Sequence, residues 1–277
     1  MMEPASRDRK AFELAWDFLL GLRVPGLTED VINTYIRPSD SNPPPLTLIQ
    51  IYKGILNSAQ NANMRAGVIG RAIGGFDRLD SVLFGFDPAK VLKRYRTWND
   101  VLDVIVKKLK PHGKVRREPR SIWPLYCRTI LTAAEFVTRF ESGDDFKRWA
   151  DFFDKDDRAR PALPMLISLE IEGIGFPLAC DFLKENGYRN FAKPDVHIKD
   201  IFTRLGLARS RNDYEVFSSV VRVALNVGET PYCVDKLFWL IGSGNFYKHP
   251  NVGVAGQIGN NKEQFYKFVR RKLPVAE

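Results

Sequence analysis

The sequence predicts an all-α fold, on three observations. Apolar residues recur at steps of three and four in one segment after another, the period of a single helix face. No stretch sustains the period-two alternation of a half-buried strand. Pro, Gly and Asn punctuate the chain at short intervals, so about a dozen short helices are expected and no substantial sheet. Phe12, Ala15, Phe18 and Leu19 define the first helical stripe, and Leu46, Ile49, Tyr52 and Leu56 a second. Between Ser121 and Phe140 the stripe is Ile122, Tyr126, Ile130, Ala133, Val137 and Phe140. A short amphipathic helix from Leu163, a turn at 171–175 and a second helix from Phe176 to Asn186 follow. Tyr214, Phe217, Val221, Ala224 and Leu225 mark another, and VDKLFWLIGSGNFY (Val234 to Tyr247) reads as an apolar, core-forming helix closed by Gly242 and Gly244.

Composition narrows the function classes. The 277 residues are 44% hydrophobic and 27% charged, which excludes a disordered, collagenous or coiled-coil chain. No apolar run approaches the roughly 20 residues of a membrane span. The start, MMEPASRDRK, has no apolar core with a small-residue cleavage site, so an intracellular protein, in cytoplasm, nucleoid or nucleus, is expected. Cys127, Cys180 and Cys233 are far apart, form no CxxC pair and read as small buried thiols. The net charge of +9 is polarised. Lys107 to Arg120 carries seven basic residues against Glu118 alone, a stretch able to meet a polyanion or simply to be solvated. From Glu141 to Asp157 acids outnumber bases.

Two breaks in the pattern divide the chain. RPSDSNPPP (Arg37 to Pro45) cannot continue a helix and has little to bury. GYRNFAKPD (Gly187 to Asp195) interrupts two helical patterns. We expect N-terminal helices over 1–45 packing with a C-terminal lobe over 188–277, and a helical lobe over 46–187, with a cleft between lobes.

The stretch from Leu163 to Leu207 carries the chemistry. Gly173 and Gly175, in Ile171-Glu172-Gly173-Ile174-Gly175, allow a tight hairpin whose peptide N–H groups lie beside a helix N-terminus, and such a turn can hold one phosphate without reading a base. A plain helix–helix connection has the same pattern. Asp195, before Val196-His197-Ile198, reads as a helix N-cap, a role compatible with chemistry because a cap fixes the carboxylate and the helix terminus keeps it ionised. His197 is not assigned as a base, and no His/Asp/Glu spacing suggests a catalytic metal.

Together, the hairpin IEGIGFPLA and the loop GYRNFAKPDVHI resemble the helix-hairpin-helix DNA glycosylase superfamily, in which such a hairpin is followed by a Gly/Pro-containing loop and an aspartate opening the next helix. Upstream, ILNSAQNANMRAGVIGRAIGGF (Ile55 to Phe76) is similar to the 8-oxoguanine DNA glycosylase branch, where a short-amide segment followed by Arg enters the duplex. The resemblance spans about Leu46 to Tyr247 and implies a two-lobed all-α fold with a cleft and a monomer acting on double-stranded DNA that contains a damaged base. It makes Asp195 the catalytic aspartate, places Gly173, Ile174 and Gly175 amides on a phosphate with help from Lys193, and sets Gln60, Asn61 and Arg65, with Ser58, against the orphaned partner base. The amides of Gln60, Asn61 and Asn63 can equally cap or end a helix.

Two departures shape the expected reaction. Where bifunctional members carry a Schiff-base Lys, this chain has Pro177, which suits the first turn of a helix. Unless Lys184 or Lys193 substitutes, the resemblance implies a monofunctional glycosylase. The four-cysteine cluster of the endonuclease III branch is missing, so no iron–sulfur cofactor and no metal are expected, apart from a monovalent cation that the family holds on hairpin carbonyls. The alternative is a DNA-binding module that keeps the hairpin without the chemistry. Trp123, Tyr126, Phe176, Phe182 and Phe246 are candidates either to stack on a flipped base or to fill the core, and Trp239 reads as core.

Overall fold

A computed structural model describes residues 3–38, 46–61 and 67–273. The helices, in chain order, are α1 (Pro4–Gly21), α2 (Glu29–Ile36), α3 (Leu48–Ala59), α4 (Val68–Ile73), α5 (Pro88–Arg94), α6 (Trp98–Leu109) and α7 (Ile122–Val137). They continue as α8 (Gly143–Asp154), α9 (Ala162–Glu170), α10 (Phe176–Glu185), α11 (Val196–Arg204), α12 (Asp213–Val227), α13 (Pro231–Ser243) and α14 (Lys262–Arg270), and a 3₁₀ turn covers Phe76–Ser81. The all-α expectation is met: among the described residues there are only isolated bridges, from Gln257 to Asn245, Gly253 and Val254. No described helix is long and apolar enough to cross a membrane. Most of the proline-rich break, 39–45, lies outside the described residues, as does Arg65.

The chain divides into two units, Met1–Asn42 with Arg189–Glu277, and Pro43–Tyr188. In the first, α13 is the central helix. Thr230 caps it by accepting from Cys233 N, Pro231 enters its first turn, and Gly244 closes it in the left-handed region. Phe238 meets Phe202 edge-on at 5.2 Å and Phe265 at 6.2 Å, and Phe18 from α1 completes the cluster at 5.2 Å from Phe265. The N-terminal helix belongs to this unit for a polar reason as well. Asp8, 2% exposed, accepts from Arg222 Nε at 2.9 Å and Nη2 at 3.2 Å and from Asn226 Nδ2 at 2.8 Å, so its charge is fully matched against α12.

In the second unit α7 is the spine. Thr47 and Gln50 form a capping box at the start of α3, and Tyr52 and Tyr126 tie α3 to α7 by donating to Ile130 O at 2.9 Å and Leu56 O at 3.1 Å. Trp123, Tyr126 and Phe182 are buried in this unit and Phe246 in the other, so these four candidate base-stacking rings are core; Phe176 is half-buried. The predicted stripe of α12 is met in part: Phe217 and Ala224 are buried, but Tyr214 and Leu225 are exposed while Val216, Val220 and Val223 are buried in their stead. That helix is apolar on most of its circumference, and packing chose the valines.

Candidate functional site

The hairpin forms as α9, a five-residue turn over 171–175 and α10. Ile171 ends α9 in extended backbone, Glu172 and Gly173 turn the chain, and Gly175 is the N-cap residue of α10 with Pro177 in the first turn. Gly173 has φ +82, and a Cβ there would stand 2.4 Å from Thr129 Oγ1 and 3.3 Å from Leu125 Cγ. Both conformation and packing against α7 therefore require glycine. Thr129 Oγ1 donates to Glu172 O at 2.6 Å, and Glu172 N donates to Thr132 Oγ1 at 3.1 Å. The Arg128 guanidinium reaches Glu172 Oε2 at 2.8 Å. The turn is thus clamped to α7 at Glu172 by two hydrogen bonds and an ion pair.

Gly175 differs from Gly173. Its φ of −84 and ψ of 170 suit any residue, and a Cβ would meet only Pro177 Cδ, at an ordinary 3.8 Å. The fold alone gives no reason for glycine there. The Gly173 and Gly175 N–H groups donate to none of the described residues, whereas Ile174 N donates to Ile171 O at 3.2 Å and the Ile174 side chain is 2% exposed. The Ile174 amide is thus engaged within the turn, and its side chain anchors the hairpin in the core.

Upstream, Gln60 is the C-cap residue of α3, in keeping with the alternative reading of these amides as ending a helix. Gln60 is 6% exposed, donates through Nε2 to Asn57 Oδ1 at 2.6 Å and accepts through Oε1 from Gly70 N at 3.1 Å. Both ends of its amide face inward and fasten α3 to α4, a buried polar group satisfied within the protein. Asn61 Oδ1 accepts from Gly67 N at 3.0 Å, bridging the segment 62–66. Ser58 is buried.

In the other unit, Asp195 caps α11. Its Oδ1 accepts from His197 N at 2.8 Å and Ile198 N at 3.0 Å, while Oδ2 accepts no hydrogen bond from the described residues. The side chain is half-buried. The loop that presents it is fixed from behind: Asp195 N donates to Lys193 O at 2.7 Å, Tyr232 N to Arg189 O at 2.9 Å, and Lys193 N to Asp235 Oδ2 at 2.9 Å. Asp235 is 0% exposed. The sequence reading missed this positioning residue, taking 234–247 as apolar core. The signal was present as an Asp-Lys pair inside an otherwise apolar helix, since buried charges are retained only where they are matched. Lys236 beside it is 5% exposed, its Nζ 5.3 Å from the Trp239 ring centre and 5.6 Å from that of Tyr232.

Of the two alternative amines, Lys193 is half-exposed on the loop. Lys184 is buried in α10 with its Nζ 3.7 Å from Asp181 Oδ1. Cys127, Cys180 and Cys233 are separate buried thiols, with burial pushing Cys233 up to about 12, and no group of three or more His, Cys, Asp or Glu gathers among the described residues.

His197 packs against α13 where Gly242 leaves room: a Cβ on Gly242 would stand 2.7 Å from His197 Cβ. Its Nδ1 is buried without a hydrogen bond. Burial holds the imidazole below its ordinary 6.5, and the nearby Asp195 carboxylate only partly opposes this. A histidine with a depressed folded pKa takes up its proton more readily when unfolded, so it favours the folded state above pH 6.5 and loses that contribution as pH falls. Melting temperature is expected to decline between pH 7 and pH 5, and His197→Gln to flatten the decline. Parallel profiles for the two proteins would show that His197 is not the titrating group.

Comparison with known proteins shows the fold alone. No family model and no curated protein matches the chain. Among solved structures, the Methanocaldococcus jannaschii 8-oxoguanine glycosylase/lyase, in complex with 15mer DNA containing 8-oxoguanine, aligns with a TM-score of 0.51 at 16% identity. That alignment covers 83% of this chain and 95% of that one. The 8-oxoguanine DNA glycosylase of Thermotoga maritima aligns with a TM-score of 0.45 at 14% identity, over 86% and 95% of the two chains. In its helices and their connections, this chain shares the all-α fold of the M. jannaschii glycosylase/lyase.

Proposed function

We propose that the protein is a DNA N-glycosylase of base-excision repair that hydrolyses the bond between deoxyribose and a damaged or mispaired base flipped out of double-stranded DNA. The observation that carries this reading is the divided carboxylate of Asp195: one oxygen is spent on two backbone N–H groups of α11, which fix it, and the other accepts nothing from the described residues. As the base departs, positive charge grows on the sugar, and a fixed anion beside it stabilises that charge without reorganising. Water adds its oxygen to C1′, the C1′–N bond breaks, and the electron pair leaves with the base, which takes up a proton. Asp195 Oδ2 orients the water and accepts its proton.

The hairpin supports the same reading. The Gly173 and Gly175 N–H groups, just before α10, donate to none of the described residues, and the first turn of α10 carries no acid. Glycine at 175 is explained by close approach of a phosphate where a side chain would intervene. Lys193 assists electrostatically, and Asn61 and Arg65 are kept for contact with the unpaired partner base. Gln60 supports that segment from within. With Pro177 at the Schiff-base position, the enzyme is monofunctional and leaves an intact strand with an abasic site. No step is routed through a hairpin cation.

The test is turnover on duplexes carrying single damaged bases, beginning with 8-oxoguanine, with released bases identified by mass spectrometry and strands scored before and after alkali. Base release with breaks only after alkali is expected. Breaks without alkali would indicate a lyase, and no release across a broad lesion panel would leave a DNA-binding module.

A further inference from the structure

The basic stretch seen in the sequence is an ordered surface of the second unit. Lys107 and Lys108 occupy the last turn of α6, where they also complement the helix C-terminus, and Lys110 turns the chain out with φ 48. The segment that follows has no helix of its own until α7, yet it is held at both ends. His112 N donates to Ala72 O at 2.7 Å, and Arg128 Nη2 donates to Pro119 O at 2.7 Å. Lys107, Lys108, Lys110, Lys114, Arg116 and Arg120 are all exposed, and none has an ion pair among the described residues. Arg117 alone is paired, with Asp103 at 2.7 Å. The only acid, Glu118, is occupied locally by Ser121 Oγ at 3.0 Å. A run of unmatched like charges on a tethered loop opposes folding slightly and gains only by meeting counter-charge from outside.

We infer that this surface binds the sugar–phosphate backbone of the duplex flanking the lesion, as a second, sequence-independent contact beside the hairpin turn. This rests on the glycosylase reading above. The choice of a nucleic-acid backbone over an acidic protein follows from Arg128. One guanidinium touches Pro119 O at the end of the basic segment and the Glu172 carboxylate in the hairpin turn, so the two anion-seeking features are contiguous. The same contact neutralises the acid that would repel a phosphate at the turn. A backbone held on the Gly173 and Gly175 amides would continue onto Arg116 and Arg120, and each phosphate neutralised there releases a counterion.

The experiment compares the parent with a quadruple variant, Lys110→Ala, Lys114→Ala, Arg116→Ala and Arg120→Ala, and with a control of equal charge loss on the acidic side of the same unit, Lys147→Ala, Arg148→Ala, Lys155→Ala and Arg158→Ala. Binding of an undamaged 30-base-pair duplex is followed by fluorescence anisotropy over a range of KCl, with thermal unfolding confirming that each variant is folded. The basic-stretch variant is expected to bind about ten- to a hundred-fold more weakly in moderate salt, and its slope of log affinity against log salt to be shallower by roughly 2–4. The control should keep the parent's slope. Equal losses in both variants, or none in either, overturn the proposal. Tighter binding of polyglutamate than of duplex by the parent would also overturn it, in favour of an acidic protein. A parent that releases bases but shows an unaltered slope in the variant sinks this inference alone, and a parent that binds no duplex sinks the glycosylase reading with it.

Discussion

Asp195→Asn is expected to lower the rate of base release by about a hundred- to a thousand-fold, the range seen when a single preorganised electrostatic contact to a transition state is lost. Affinity for a lesion-bearing duplex should stay within a few-fold of the parent. The two consequences separate because the carboxylate does two things. As a cap it supplies Oδ1 to His197 N and Ile198 N, and an Asn carbonyl can do the same, since Asn and Asp are comparable N-caps. As an anion it supplies a charge that Asn lacks. Stability should therefore change little in Asp195→Asn, whereas Asp195→Ala should lose about 1 kcal/mol with the cap. Single-turnover base release, duplex affinity and thermal unfolding, measured on both variants, decide the matter. If Asn loses binding or stability in proportion to activity, the residue is a cap only.

The second large effect separates the two hairpin glycines. Gly173→Ala must adopt φ +82 and place a methyl group 2.4 Å from Thr129 Oγ1, which is itself engaged with Glu172 O. The left-handed conformation costs about 1–2 kcal/mol, and the overpacking a similar amount or more, so a loss of roughly 2–4 kcal/mol is expected. Gly175→Asp should behave oppositely in stability. Its backbone is ordinary, its Cβ meets no obstacle, and an acid at the N-cap of α10 should stabilise the helix by up to about 1 kcal/mol. It also places a negative charge where the phosphate is proposed to sit, so duplex affinity should fall at least about tenfold while the melting temperature holds or rises. Loss of stability at 175, or unchanged affinity, would remove the hairpin from the binding surface.

These predictions show where the sequence was sufficient. Helix positions follow from periodicity and caps, which are local: Thr47 with Gln50, Asp195 before α11, and Pro231 at the start of α13 each act within one turn of helix. The hairpin was legible for the same reason, because a glycine pair and the following Pro-containing loop restrict backbone torsions over a few residues. The buried face of α12 was legible only in part, since valines lie on several sides of that helix and only its neighbours select which are buried.

The sequence by itself determined an all-helical chain, a glycine turn ahead of α10 and a carboxylate at the head of α11. The tertiary structure alone decided that Gln60 turns its amide inward to Gly70 and that Asp235 is buried to hold the loop before Asp195. The physical reason is that hydrogen bonding is settled by whichever partner lies within about 3 Å. For these groups the partner is brought there by packing, from ten residues away in the chain or from forty-two.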